Sequence, residues 1–169
     1  MFGTDQKRRS FEKEALPHLD ALYAMAMRLT KDPSDAEDLV QDALVKAYRF
    51  FHRYNEGTNI RAWLFKVMVN LFYNDRRKAQ KEHKLRVEVS AMDPDDRFIS
   101  QASGGGQNPE ASLLDQISEV HLREALEKLP EEFRLAVVLC DLYDFNYREI
   151  ADILGCPIGT VMSRLYRGR

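Results

Sequence analysis

YREIADILGCPIGTVMSRLYRGR, from Tyr147 to Arg169, is the stretch from which the rest of the chain can be read. It parses as two short helices separated by a turn. Ile150, Ala151 and Leu154 recur at the three-to-four-residue spacing of one buried helix face. Gly155 follows at once, suited to the left-handed conformation that closes a helix, and Pro157 brings a preset φ to the first turn of the next. In the second helix Val161 and Leu165 are expected inside, with Ser163, Arg164, Tyr166, Arg167 and Arg169 outside. A helix, a tight turn and a second helix with cationic and hydroxyl side chains facing out is the layout of a DNA-reading helix-turn-helix.

A chain of 169 residues allows one large domain or two small ones. At 44% hydrophobic and 31% charged it has enough apolar content to fold, and its formal charge of −2 conceals strong segregation along the sequence. No run of about eighteen apolar residues exists, so no membrane span is expected. The start, MFGTDQKRRS, lacks the apolar core of a secretory signal. Cys140 and Cys156 have no CxxC spacing, which argues against a disulfide framework or a zinc motif. A reducing cytoplasm is the expected compartment.

The first helical region is expected from about Ser10 to Lys31, with Phe11, Ala15, Leu19, Leu22, Ala26 and Leu29 as its buried stripe and Pro17 at a start or kink. Pro33 disfavours helix at the residue before it. Ser34 followed three residues later by Glu37 reads as a capping box opening the next helix, whose inner face is Leu39, Val40, Ala43, Ala47 and Phe50. Asp35, Glu37, Asp38 and Asp42 crowd its first two turns. They suit the helix dipole; alternatively Asp38, Gln41 and Asp42, at i, i+3 and i+4, make one exposed acidic patch for a basic partner. Asn55-Glu56-Gly57-Thr58 is a turn cluster.

The third region, Asn59 to Lys84, has an apolar stripe of Ile60, Trp63, Leu64, Val67, Met68, Leu71 and Phe72, with Trp63 expected to pack rather than stack. It then turns basic. From Arg61 to Arg86 eight Lys or Arg stand against two acids, Asp75 and Glu82. Such a block can be a merely solvated helix. Here it continues a segment bearing Trp63, Phe65, Phe72 and Tyr73, and aromatics beside cations suit nucleic acid, unpaired bases especially.

Between 87 and 111 the periodicity dissolves around Gly104-Gly105-Gly106 and two prolines, the composition of a flexible linker. Two domains are therefore expected, over 10–86 and 112–169. In the second, Leu113, Leu114, Ile117, Val120, Leu122, Ala125, Leu126 and Leu129 are helical in period. Pro130-Glu131-Glu132 opens another helix, Pro first and acids in the first turn, with Phe133, Ala136, Val137 and Leu139 as core and Cys140 as a buried small hydrophobe. Asp144-Phe145-Asn146 is a turn. No useful strand-like alternation occurs. The fold class expected is all-α.

These segments resemble a known family. REIADILGCPIGTVMSRLYRGR is similar to the C-terminal helix-turn-helix of bacterial extracytoplasmic-function sigma factors, and LPEEFR to the start of that same domain. DAEDLVQDALVKAYR and NIRAWLFKVMVN look like the polymerase-binding and promoter-melting helices of the family's N-terminal domain. The motifs stand in the family's order over essentially the whole chain, with a linker where the family has one. LPEEFR and TNIRAWLF look most like the group that responds to thiol oxidation and is held by zinc-containing anti-sigma proteins.

The resemblance implies a transcription initiation factor with no catalysis, cofactor or metal of its own, monomeric when free. Its implied partners are core RNA polymerase (β′ and β subunits), promoter DNA and an anti-sigma factor. It implies that Asp38, Gln41 and Asp42 contact the β′ coiled coil, with Asp42 a shorter reach than the family's usual Glu. Phe50, Tyr54, Val67 and Asn70 would line a pocket for a flipped-out minus-10 base; Asn74, Arg76, Arg77 and Lys78 would hold the backbone of the opening duplex. Thr160, Ser163, Tyr166 and Arg167, with Arg164 beside them, would meet the minus-35 element. Met162 stands where relatives often carry a cation, which bears on promoter preference. Relatives also continue for another turn or more beyond the position of Arg169, and a shortened helix is expected to bind the minus-35 element more weakly.

Two rivals stand beside this reading. A two-domain regulator would use the same C-terminal domain on a palindromic operator, usually as a dimer. An enzyme or metalloprotein has little support: His18, His52, His83 and His121 are scattered, and none shares a local motif with the cysteines or carboxylates.

Overall fold

The computed structural model describes residues 2–55, 57–89 and 113–169, which are helices and the turns between them. The chain divides into two compact units, the break falling between the helix that ends at Val89 and the helix that begins at Leu113. The 87–111 segment lies outside the described residues except for 87–89, which end the helix Ile60–Val89.

The N-terminal unit comprises α1 (Phe2–Ala15), α2 (Leu19–Thr30), α3 (Pro33–Phe50) and α4 (Ile60–Val89). The expected single helix over Ser10–Lys31 is two. A 3-10 turn, Leu16–His18, carries Pro17 and joins α1 to α2. Proline removes one backbone donor and crowds the preceding turn, and the two halves of the stripe no longer share one direction. Phe11, Ala15, Leu22 and Ala26 are buried as expected, Met25 joins them, and Leu19 faces solvent. Lys31 ends α2 in the left-handed region, its N–H donating to Met27 O over 2.9 Å.

The helix α3 starts two residues earlier than the capping box at Ser34 implies. Asp32 is the cap: it is extended at φ −133°, and its Oδ1 accepts the Asp35 N–H at 3.0 Å. Pro33 then takes the first helical position, where no donor is missed. Ala36, Leu39, Val40, Ala43 and Ala47 are buried, small enough to bring α2 and α4 close. Phe50, expected on that inner face, is 38% exposed; Phe51 is the buried ring. The helix ends at Phe50 and passes into a 3-10 turn, Phe51–Arg53, whose tighter winding shifts the inward direction by one residue. Phe51 and Tyr48 both meet the edge or face of Phe11, at 5.3 and 5.4 Å between ring centres, which ties α1 to α3. In α4 the buried residues are Leu64, Phe65, Met68 and Val69, a face rotated away from the expected stripe, so that Trp63, Val67, Leu71 and Phe72 are only half-buried.

The C-terminal unit comprises α5 (Leu113–Lys128), α6 (Glu131–Val137), α7 (Tyr147–Leu154) and α8 (Ile158–Gly168). Leu126 is buried on α5, whereas Val120, Leu122 and Ala125 are exposed despite their helical spacing. Pro130 is the cap of α6 rather than its first residue, with φ −51° and ψ 144°, and Glu131 and Glu132 occupy the first turn. The helix runs on into a π-helical turn, Val138–Leu142. The core is Leu135, Ala136, Val138, Leu139, Tyr143 and Phe145 against Ile150, Ile153, Val161 and Leu165. Cys140 is half-buried, not inside; burial and Asp141 push its thiol up from the ordinary range, and Arg169 opposes them.

Close packing of α8 on α6 depends on Gly168. A Cβ there would lie 2.8 Å from Val137 Cγ2 and 3.3 Å from Phe133 O. Gly168→Ala is expected to destabilise this unit by about 1–2 kcal/mol net, overpacking outweighing the gain in helix propensity. Gly159→Ala, with nothing within 4 Å of its Cβ, is expected to stabilise it by up to about 1 kcal/mol. Urea unfolding of the two variants checks the opposite signs.

Candidate functional site

The second half of the C-terminal unit is built to present α8. Asn146 caps α7 through a reciprocal box: its Oδ1 accepts the Glu149 N–H at 3.0 Å, and Glu149 Oε2 accepts the Asn146 N–H at 3.0 Å. The Asn-x-x-Glu spacing of this box is legible in the sequence beside the turn assigned at 144–146. Gly155 ends α7 at φ 62°, and the Cys156 N–H donates to Ala151 O at 3.0 Å. Pro157 is extended and serves as the cap of α8, one residue before the position expected for it. Val161 and Leu165 are buried as expected; Ile153 is buried, and Leu154 only half so.

The outward side of α8 carries Met162, Ser163, Tyr166 and Arg167, with Tyr166 87% exposed. The Ser163 hydroxyl donates to Thr160 O at 3.1 Å, and Thr160 is half-buried. Arg164 departs from the expected outward set. Its guanidinium turns back to Glu132 of α6, with Nη2–Oε2 3.2 Å, and lies 3.8 Å from Cys156 Sγ. Arg169 does likewise, reaching Asp141 Oδ1 at 2.6 Å. Both arginines thus tie α8 to α6 and the turn that follows it. The pairs are surface pairs of small individual value. Glu132→Gln is accordingly expected to leave stability within about 1 kcal/mol by thermal melting and to free Arg164.

In the N-terminal unit, Asp38, Gln41 and Asp42 are all exposed on α3, opposite Leu39, Val40 and Ala43. Val45, one turn on, continues the row as an exposed apolar group. Among the described residues neither Asp38 nor Asp42 is in an ion pair.

The α4 residues sort by helical phase. At about 3.6 residues per turn, Trp63, Val67, Asn70, Asn74, Arg77, Lys78 and Lys81 share one side of the helix, running from half-buried apolar to exposed polar to cationic. Arg76 lies on the far side, its guanidinium 5.4 Å from the centre of the Phe72 ring. The run Arg76-Arg77-Lys78 is therefore split. Tyr54 is buried, stacked on Phe51 at 5.7 Å, with its hydroxyl donating to Thr58 O at 2.6 Å. Its ring is also 5.6 Å from that of Trp63, the more open of the pair. Phe50 projects outward beneath the Arg53 guanidinium, 5.0 Å from its ring centre. Trp63, like Val67, is assigned to the core by the sequence pattern and is half-buried in the structure; its i, i+4, i+7 relation to Val67 and Asn70 is the signal that identifies this side of the helix.

A helix-turn-helix unit with a polar outer helix shares the chain with a second unit that has an acidic row on one helix and an aromatic-to-basic row on another, a combination found in DNA-reading proteins. The family model for Sigma-70 region 2 matches residues 16–82, and that for Sigma-70, region 4 matches residues 120–169. The chain is 36% identical over 167 residues to the ECF RNA polymerase sigma factor SigE of Mycolicibacterium smegmatis, covering 99% of this chain and 62% of that protein. It is 31% identical to the ECF RNA polymerase sigma factor EcfG of Rhodopseudomonas palustris, covering 95% and 81%. Among solved structures, it resembles the sigma factor RpoE of Bartonella quintana, determined in complex with the anti-sigma factor NepR, with a TM-score of 0.68, 34% identity, and 95% and 92% of the two chains covered. The chain belongs to the ECF RNA polymerase sigma factors. Among the described residues no helix is long and apolar enough to cross a membrane.

Proposed function

We propose that this protein binds core RNA polymerase and directs it to a set of promoters, working in the cytoplasm as a non-catalytic initiation factor. The observation that carries the reading is the presence, in order in one chain, of matches to region 2 and region 4 of the sigma factors. The acidic row Asp38, Gln41, Asp42 docks on polymerase. The side of α4 from Trp63 through Asn70 to Lys78 takes the unpaired minus-10 strand: an extruded base needs an aromatic or apolar wall and an amide for its edge. Cations one and two turns further hold phosphates. Phe50, exposed on the adjoining turn, extends the wall, and Tyr54 supports it from within. Ser163, Tyr166 and Arg167 on α8 meet the minus-35 duplex. Arg164 positions the helix through Glu132, and Arg76 braces α4 through Phe72.

The test is run-off transcription with purified core polymerase and a library of promoters from the host genome. Initiation at a defined subset is expected; no initiation at any promoter refutes the reading. The free chain is expected to be monomeric and to bind promoter DNA poorly, since its charge of −2 leaves most of the electrostatic affinity to the polymerase. A dimer that shifts an operator without polymerase would point to the two-domain regulator instead.

Regulation by an anti-sigma factor is part of the proposal, supported by the RpoE relative solved with NepR. The resemblance of LPEEFR and TNIRAWLF supports a partner of the zinc-containing, thiol-responsive class. Copurification from the host checks this: a zinc-binding protein released by a thiol oxidant is expected, and a partner indifferent to oxidant and chelator removes the subgroup assignment.

A further inference from the structure

The solvent side of α8 is divided lengthwise. Ile158, Met162 and Tyr166, at i, i+4 and i+8, form an exposed apolar row. Ser163 and Arg167 form a polar row beside it. The two rows meet over the first turn at Gly159, where an added Cβ would find nothing within 4 Å and the backbone is open to a close neighbour. Met162, 51% exposed, sits in the second turn next to the Ser163 hydroxyl. Its side chain is unbranched, polarizable and adaptable in shape.

An apolar side chain in this position gains only if something apolar covers it. Arg167 on α8 and Arg148 at the start of α7 are exposed cations, complementary to a phosphate backbone and poor company for an apolar protein surface. In a major groove the early turns of the second helix meet base edges. The apolar group displayed there is the 5-methyl of thymine.

We propose that Met162 is a specificity-determining residue of α8 and selects thymine at one position of the upstream promoter element by covering its 5-methyl group. The inference rests on the sigma-factor reading above.

The experiment uses holoenzyme assembled from the full chain and core polymerase. Upstream elements are first selected from a randomised promoter library, and each selected thymine is then replaced by uracil, which deletes only the methyl group. At one position the wild-type holoenzyme is expected to lose about threefold to fivefold in promoter binding, the worth of one methyl returned to water. With Met162→Ala, thymine and uracil promoters are expected to bind equally at that position. With Tyr166→Phe, the thymine preference is expected to persist. A uracil penalty unchanged in Met162→Ala, or a selected element with no thymine, overturns the proposal while leaving the sigma-factor reading intact. Failure of wild-type holoenzyme to initiate from any library member overturns both. Met162 is exposed, so the variant is expected to fold; a circular dichroism melt matching wild type checks that.

Discussion

Asp38→Lys/Asp42→Lys is expected to abolish capture of core polymerase, weakening it by roughly a hundredfold or more, because two reversed charges face a basic surface and like-charge juxtaposition costs several kcal/mol. The fold is expected to survive. Both side chains are exposed and outside any ion pair among the described residues, and the burial of α3 rests on Ala36, Leu39, Val40, Ala43 and Ala47 on its other side. Asp38 and Asp42 are the sixth and tenth residues of α3, past the first turn in which the helix dipole acts most strongly, so the stability loss is expected to stay under about 1 kcal/mol in all. That distinguishes the two explanations of the acids. If they serve only the helix, the double variant melts slightly lower and binds polymerase normally. If they serve docking, binding is lost while the melt barely moves. Pull-down with tagged core, paired with a thermal melt, reads both quantities at once, and normal capture would falsify the docking role. Raising the salt concentration is expected to weaken wild-type capture, since exposed charge pairs are screened within about 8–10 Å.

Phe65→Ala is expected to have the largest effect on stability. Phe65 is fully buried in the N-terminal unit, among the largest side chains that are. Truncating a buried Phe costs about 3–5 kcal/mol in lost transfer energy and residual cavity. A unit of this size has a total stability on the order of 5–10 kcal/mol, so the loss lowers the melting temperature by roughly 15–30 °C. A transition shifted by only a few degrees would remove Phe65 from the core. Trp63→Ala is expected to show the complementary pattern. Trp63 is half-exposed on the side of α4 proposed to take the minus-10 strand, so its loss costs less stability and more promoter opening. Permanganate footprinting of unpaired thymines on a wild-type promoter, alongside thermal melts of the two variants, separates the roles.

Most of the architecture was legible because helical periodicity and punctuation are local signals. Pro33, Pro130, Gly155 and Pro157 stand where helices start or stop, within a residue of the positions observed. The two outer rows, Asp38–Gln41–Asp42 and Ser163–Tyr166–Arg167, were also legible, since each follows from spacing on one helix. The errors share a cause. Pro17 broke one expected helix into two and turned Leu19 outward. The 3-10 turn after α3 exchanged Phe50 for Phe51. In α4 the apolar residues extend over more than half the circumference, so periodicity allowed several inner faces, and contact with α2 and α3 selected the one centred on Phe65 and Met68.

By itself, then, the sequence determined an all-helical chain in two units, the helix-turn-helix, and the acidic and basic rows, because these depend on residues a few positions apart. Tertiary structure alone decided which arginines are free to meet DNA. Arg164 lies on the flank of α8 and Arg169 at its end, and Glu132 and Asp141, distant in sequence, draw both back onto the unit. Arg76, by contrast, parts from Arg77 and Lys78 by helical phase alone, with Phe72 one turn before it on the same helix receiving its guanidinium. Charge can be counted along a chain, but its availability depends on what the fold brings within a few ångströms of it.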